Sequence, residues 1–326
     1  MEEELFSRKE SVKDIFSVIE SKLKKGLFEE SMEDFDKIMS MDFECADLYE
    51  NISCVKFWIN RLDKFKSVER NCIEYCRLLD STYKRFSIFV HTKSYNESLM
   101  AVNAIHYYVY NKTIDLIMQR STDDIEGTEE LHLLSNAFIE LKDYSRALKS
   151  YEYLNTIEPY NSKTLSFIAM IYDILGDEKK CKLYIREALF YDPLSIEFEN
   201  ISIEVVREIR DIIIKRGIHN NSQEEIILWM SAYGELMNIL DVKRPLSEKE
   251  EFELRKKISR LEADYRKLKL REAAAPKLLA SYAFLTTYLI MRQNDSDIEE
   301  VKVWGRKMAM IGKDLLQYYI KILDKE

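Results

Sequence analysis

Apolar positions recur through the middle of the chain in two stretches that match at an offset of 34 residues. Leu131, Leu134, Ser135, Phe138, Ala147, Tyr151, Leu154 and Pro159 are followed in the same order by Leu165, Ile168, Ala169, Tyr172, Cys181, Ile185, Ala188 and Pro193. In each stretch the first four positions fall at helical spacing and form one stripe, and the next three form a second. Each stretch therefore predicts two helices joined by a turn. Small residues at Ser135 and Ala147 let the helices approach closely, with Phe138 and Tyr151 filling the space beside them. The turns read Leu141-Lys142-Asp143-Tyr144 and Leu175-Gly176-Asp177-Glu178, and Gly176 can take the left-handed conformation that ends a helix at little cost. Pro159 and Pro193 cannot continue a helix and close each hairpin.

A different rhythm governs the C-terminal third. Ser247 with Glu250 forms a capping box, after which Leu254, Ile258, Leu261, Tyr265 and Leu268 alternate spacings of four and three, a heptad seam. Pro276 is expected to kink or interrupt this helix after Ala273-Ala274-Ala275. The charge-free run Leu278–Met291 then calls for packing on several sides. Asn294-Asp295-Ser296-Asp297 makes a turn, Ser296 with Glu299 gives a second capping box, and Val301, Trp304, Met308, Ile311, Leu315, Tyr318 and Ile322 resume the heptad rhythm. Between these regions, helices are predicted from about Ile196 to Arg216, ended by Gly217, and from about Gln223 to Leu240.

The paired stretches resemble the tetratricopeptide repeat (TPR) family through Leu-x-x-Leu-Ser-x-x-Phe, Ala-x-x-x-Tyr and the closing proline, over Thr128 to Ser195, 68 of 326 residues. Leu131 and Leu165 stand where the family often has Trp, and Cys181 replaces the usual small Ala. The resemblance implies a right-handed helical solenoid in which the first helix of each pair lines a concave groove. The groove residues it implies are Glu129, His132, Asn136 and Glu140 from the first copy, with Lys163, Phe167, Met170 and Asp173 from the second. Asn136 agrees with the carboxylate-clamp subset of the family, but His132 stands where that subset prefers Lys. A mixed polar and apolar groove for a helical or extended partner segment is the better expectation.

Residues 11–43 read as a degenerate pair, with Ser31, Phe35, Ile38 and Phe43 in the order of the small, aromatic, aliphatic and proline positions after a turn at Lys25-Gly26. Another second helix is suggested around Tyr95, Ser98, Val102 and Ile105. Ser31 and Ala147 are 116 residues apart, not a multiple of 34, so irregular helices must intervene.

Composition changes the picture in one direction. The chain has 7 Gly and 4 Pro, neither of them between Leu27 and Glu126, and 46% hydrophobic residues without sustained alternation, so the whole chain reads as all-α. Net charge is −9, and the first 50 residues hold 15 acids against 7 bases, a balance that phosphate backbones and anionic membranes repel. The basic cluster from Arg255 to Arg271 alternates with acids and lacks stacking aromatics apart from Tyr265, a solvated helical face rather than a nucleic-acid surface. No membrane insertion is expected, since the longest charge-free runs have 14 residues and a span needs about 20. Met1-Glu2-Glu3-Glu4 has neither the basic start nor the apolar run of a secretory signal, which places the chain in the cytoplasm; a periplasmic chain shorn of its leader fits equally.

Little in the sequence points to chemistry. Cys45, Cys54, Cys72, Cys76 and Cys181 are an odd set with a single i,i+4 pair, expected to be buried free thiols. His91, His106, His132 and His219 are scattered, and no glycine-rich phosphate loop exists. No catalytic constellation, metal or cofactor is expected. The expected organisation is irregular helical pairs over 1–127, two clear repeats over 128–195, capping helices over 196–245, and a C-terminal antiparallel helical bundle or coiled-coil hairpin over 246–326. The function this implies is a non-catalytic protein-interaction scaffold or adaptor within a larger assembly, binding a protein or peptide. Ligand- or peptide-responsive regulators and assembly factors of bacterial motors or secretion machines are alternatives that the same resemblance allows. Self-association through the C-terminal heptads is open, although Pro276 favours pairing of the seams within one chain.

Overall fold

The computed structural model describes residues 2–41, 45, 47–97, 99–120, 127–217, 222–292 and 294–323. Among them every regular element is helical, as the sequence requires. The chain divides into two compact units, residues 1–150 and 151–326.

The first unit contains α1 (Glu2–Lys24), α2 (Phe28–Met41), α3 (Leu48–Ile59), α4 (Leu62–Val68), α5 (Cys72–Thr92), α6 (Met100–Met118), α7 (Thr128–Glu140) and the first half of α8 (Tyr144–Ile157). α1 pairs with α2 and lies along α6, which also packs against α3, α5 and α7. α1 and α2 thus form a hairpin, with Ser31, Phe35 and Ile38 buried in it; Phe43 lies outside the described residues. Its turn depends on Gly26, whose φ is +80° and where a Cβ would stand 2.3 Å from the Tyr108 ring. Behind the hairpin, the fully buried Trp58 is stacked between Phe28 (5.9 Å) and Phe65 (6.1 Å), with Phe86 edge-on at 5.9 Å. Asp34 is buried beside Lys22 and Lys37, and the Lys22 hydrogen bond holds its carboxyl below the usual carboxylate range. α6 begins at Met100, so of the four residues expected on a helix there Val102 and Ile105 are helical and buried, Tyr95 precedes it, and Ser98 lies outside the described residues. No side chain of its own caps α6. Asn51 of α3 does so instead, accepting from the Ala101 amide at 2.8 Å.

The turn from α7 into α8 and the turn between the next two helices, α9 (Ser162–Ile174) and α10 (Glu178–Tyr191), are the same structure 34 residues apart. Lys142 has φ +60° and Gly176 φ +78°. Asp143 and Asp177 each send an amide back five residues, to Phe138 and Tyr172, and each caps the following helix through its carboxylate. Only the residue in the left-handed position differs, and a side chain there costs about 1–2 kcal/mol. Lys142→Gly should therefore raise the stability of the first unit by about 1 kcal/mol. A urea midpoint that falls would refute this account of the turn.

The second unit continues from α9 and α10 through α11 (Glu204–Arg216), α12 (Gln223–Leu236), α13 (Glu248–Tyr265), α14 (Arg271–Arg292) and α15 (Asp295–Leu323). Several expected boundaries move. The helix expected from Ile196 starts only at Glu204: Pro193 opens a single 3-10 turn, and Ile196, Ile201 and Ile203 are buried from a non-helical connection. α12 stops at Leu236 because the chain turns at Asn238 (φ +54°) and Leu240 folds back over Gly234, whose carbonyl takes the amides of both Ile239 and Leu240 at 3.0 Å. Pro276 does not break its helix. The interruption sits earlier, at residues 266–270, and Pro276 lies in the second turn of α14, where its missing amide forfeits one bond.

α14 is packed on several sides, by α12, α13 and α15, and is buried from Leu278 through Thr287. The heptad positions Leu254 and Ile258 of α13 are buried, but Leu268 follows the end of that helix and is 81% exposed, so the seam ends at Tyr265. In α15 the rhythm shifts at Gly312 (φ −144°, ψ 68°), where the helix kinks and a Cβ would meet Leu279 at 2.9 Å. Met308 is buried before the kink; after it Leu315, Leu316 and Tyr319 are buried, and Tyr318 is exposed. α15 starts at Asp295, so Ser296 stands inside its first turn rather than before it; the side chains of Ser296 and Ile322 lie outside the described residues. α13 and α15 are tied by charge, Arg255 to Glu300 and Lys307 to Glu262 (2.6 Å).

Candidate partner-binding site

Four of the eight expected groove residues lie on α7 in the first unit and four on α9 in the second. On α7, Glu129 grips Arg77 of α5 in a two-point ion pair, and that hydrogen bonding lowers its carboxyl pKa. His132 and Asn136 follow on α7, partly exposed. Glu140, at the helix end, lies 3.1 Å from His106 Nε2.

On α9 the arrangement departs from expectation. Phe167 and Met170 are 5% and 7% exposed, and Phe167 stacks on Tyr151 at 5.2 Å between ring centroids. Neither faces an open groove. The sequence reading gave this helix one buried stripe, but residues 164–172 are buried without a break. Lys163 pairs with Glu197 at 2.5 Å, and Asp173 receives a long contact from the Cys181 thiol at 3.8 Å.

An open cleft exists in the first unit, and Glu140 is on its wall. The cleft has a volume of about 660 Å³ and lies among α1, α5, α6 and the turn that follows α7. Tyr83 of α5 and His106 of α6 meet edge-to-face at 5.5 Å, and His106 meets Tyr110 at 4.9 Å. Burial, followed by the Glu140 charge, pushes both tyrosine hydroxyls up in pKa, so both stay protonated as donors. Lys24 lies 5.4 Å over the Tyr107 ring and pairs with Glu20 at 2.6 Å. Lys142, held in its left-handed conformation, also borders the cleft.

The lining thus mixes aromatic faces with charges of both signs, suited to an amphipathic segment rather than to a strongly charged ligand. Apart from Glu140, none of these residues was expected to line a groove. The aromatic run Tyr107-Tyr108-Val109-Tyr110 was the available signal, but only the fold separates the buried Tyr110 from the exposed Tyr107.

Reactive chemistry finds little footing. Burial pushes the Cys54, Cys76 and Cys181 thiols up to about 12, far from the thiolate range at neutral pH. Cys72, partly exposed, contacts the Leu116 carbonyl at 3.4 Å, and no disulfide joins any of the five cysteines. Among the described residues no group of three or more His, Cys, Asp or Glu is placed to hold a metal ion. No helix among them is long and apolar enough to cross a membrane.

The tetratricopeptide repeat family matches the chain over residues 162–193, which comprise α9, its turn, α10 and the closing proline. No curated protein and no solved structure matches it.

Proposed function

We propose that this tetratricopeptide-repeat protein is a non-catalytic interaction scaffold, and that its first unit binds a segment of a protein partner in the cleft beside Glu140. The repeat supports protein interaction in general. The observation that carries the finer reading is the cleft itself, which joins an aromatic wall to paired charges and is bordered by the turn of a repeat-like hairpin. Glu140 is the groove residue that it shares with the sequence reading. A role as a fixed part of a larger assembly follows from the same reading, since a scaffold acts by holding partners in register.

Site-specific photocrosslinking in the native host tests it. Tyr107 borders the cleft and is 45% exposed, whereas Ile88 of the same unit is 66% exposed and does not border it. A benzophenone amino acid at position 107 should yield a discrete adduct with a protein, and the same group at position 88 should not. Absence of an adduct at 107, or equal adducts at both positions, would move the binding surface elsewhere.

A further inference from the structure

A second cavity, of about 520 Å³, lies within the second unit where the end of α10 meets α13 and α14. Four rings line it: Phe190 and Phe284 stacked at 4.3 Å, and Tyr160 against Tyr191 at 4.6 Å. Leu254 and Leu261 complete the apolar lining from α13. Into this lining projects Lys257. Its Nζ donates to the Phe190 carbonyl at 3.0 Å and stands 4.0 Å from the centroid of the Phe190 ring.

Among the described residues no carboxylate partners this ammonium. Two acids of α13 line the same cavity, and both are engaged elsewhere: Glu253 pairs with Lys256 at 3.7 Å. Glu250 is held by Arg244 (2.6 Å), by the Ser247 amide and by the Ser247 hydroxyl (2.8 Å each), and Arg244 also reaches Glu187. Burial lowers the Lys257 pKa to about 8, aided by Lys277 of α14 and opposed by Asp192. The amine is therefore still mostly charged at neutral pH, among aromatic rings and without an ion-pair partner among the described residues. A group that folding disfavours in this way is characteristic of a binding site.

We propose that this cavity binds a small amphiphilic carboxylate, its ring or short chain between the aromatic walls and its carboxylate on the Lys257 ammonium. The size lies within the range of small-molecule sites, roughly 300–1,000 Å³. Lys257 is the one cation of the lining that is not exposed, which matches a monoanion: a dianion would have to leave its second charge to the exposed Lys249 or Arg260. The inference is independent of the cleft in the first unit.

Calorimetric titration of the full chain with 1-naphthaleneacetate and its neutral counterpart, 1-naphthaleneacetamide, tests it. At neutral pH the acid should bind at least about tenfold more tightly than the amide. Lys257→Met should bind the two equally, with a melting temperature unchanged or raised, since it removes the charge that burial disfavours. The other charged groups around the cavity are Lys277, Asp192, Glu250, Glu253, Arg260 and Lys249, with the Tyr160 and Tyr191 hydroxyls, so the variant separates the contribution of Lys257 from theirs. On the unaltered chain the preference for the acid should fall by about tenfold between neutral pH and about pH 10, as the amine loses its proton. The proposal is overturned by any of three results: no saturable binding of the acid up to about 1 mM, no preference for it over the amide, or a preference that survives in Lys257→Met. Should that variant fail to fold, the pH series decides alone, and a constant preference rejects the site.

Discussion

Glu235→Ala is expected to destabilise the second unit by about 3–5 kcal/mol, among the largest effects of any single side chain here. Arg186 of α10 and Glu235 of α12 are each 2% exposed and are joined by two hydrogen bonds, while the guanidinium also lies 3.8 Å over the Phe284 ring. Removing the carboxylate leaves a permanently charged group buried without its partner, and that desolvation outweighs the methylenes lost. The pair itself need not be a large net gain, since attraction and desolvation nearly cancel when both charges are present. Arg186→Met with Glu235→Leu should accordingly recover most of the loss. Urea unfolding of the two variants checks this. A loss below about 1 kcal/mol for Glu235→Ala would mean that water reaches the pair.

Gly26→Val should cost the first unit about 2–5 kcal/mol, from two sources that can be separated. The left-handed backbone contributes about 1–2 kcal/mol for any side chain. The Cβ 2.3 Å from the Tyr108 ring adds an overpacking cost of about 1–3 kcal/mol. Tyr108→Leu in the same chain should relieve the second part only. If the pair of substitutions is merely additive, the clash does not limit the turn.

The 34-residue match made the central hairpins legible because it is local: stripe, turn and closing proline all lie within one period. Even the difference between Lys142 and Gly176 could be read directly. The buried faces of α9 were not legible, because helical spacing marks which residues share a face but not how many faces acquire neighbours. Phe167 and Met170 were assigned to a groove for that reason, and the fold buries both. The first unit was obscure for a different cause. Trp58 packs with Phe28, Phe65 and Phe86, which approach it from separate helices at unrelated spacings. Both cavities assemble in the same way, so neither Tyr83 nor Lys257 carried a mark in the sequence. In the C-terminal third the heptads were visible, but Gly312 changes the buried face partway along α15, and no heptad count anticipates a kink at a glycine without knowing that Leu279 presses against it.

The position of Trp58 gives the molecule a natural optical label. Of its 3 tryptophans, Trp58 belongs to the first unit, and Trp229 and Trp304 belong to the second. With Trp229 and Trp304 replaced by phenylalanine, emission would report only the aromatic core around the N-terminal hairpin. Since Trp58 is fully enclosed, its spectrum should lie to the blue while that core is intact and move to the red when it opens. The opening of the first unit could then be set against the loss of helicity in the whole chain, and whether the units come apart together or in turn would be read from whether the colour of one indole changes with it or apart from it.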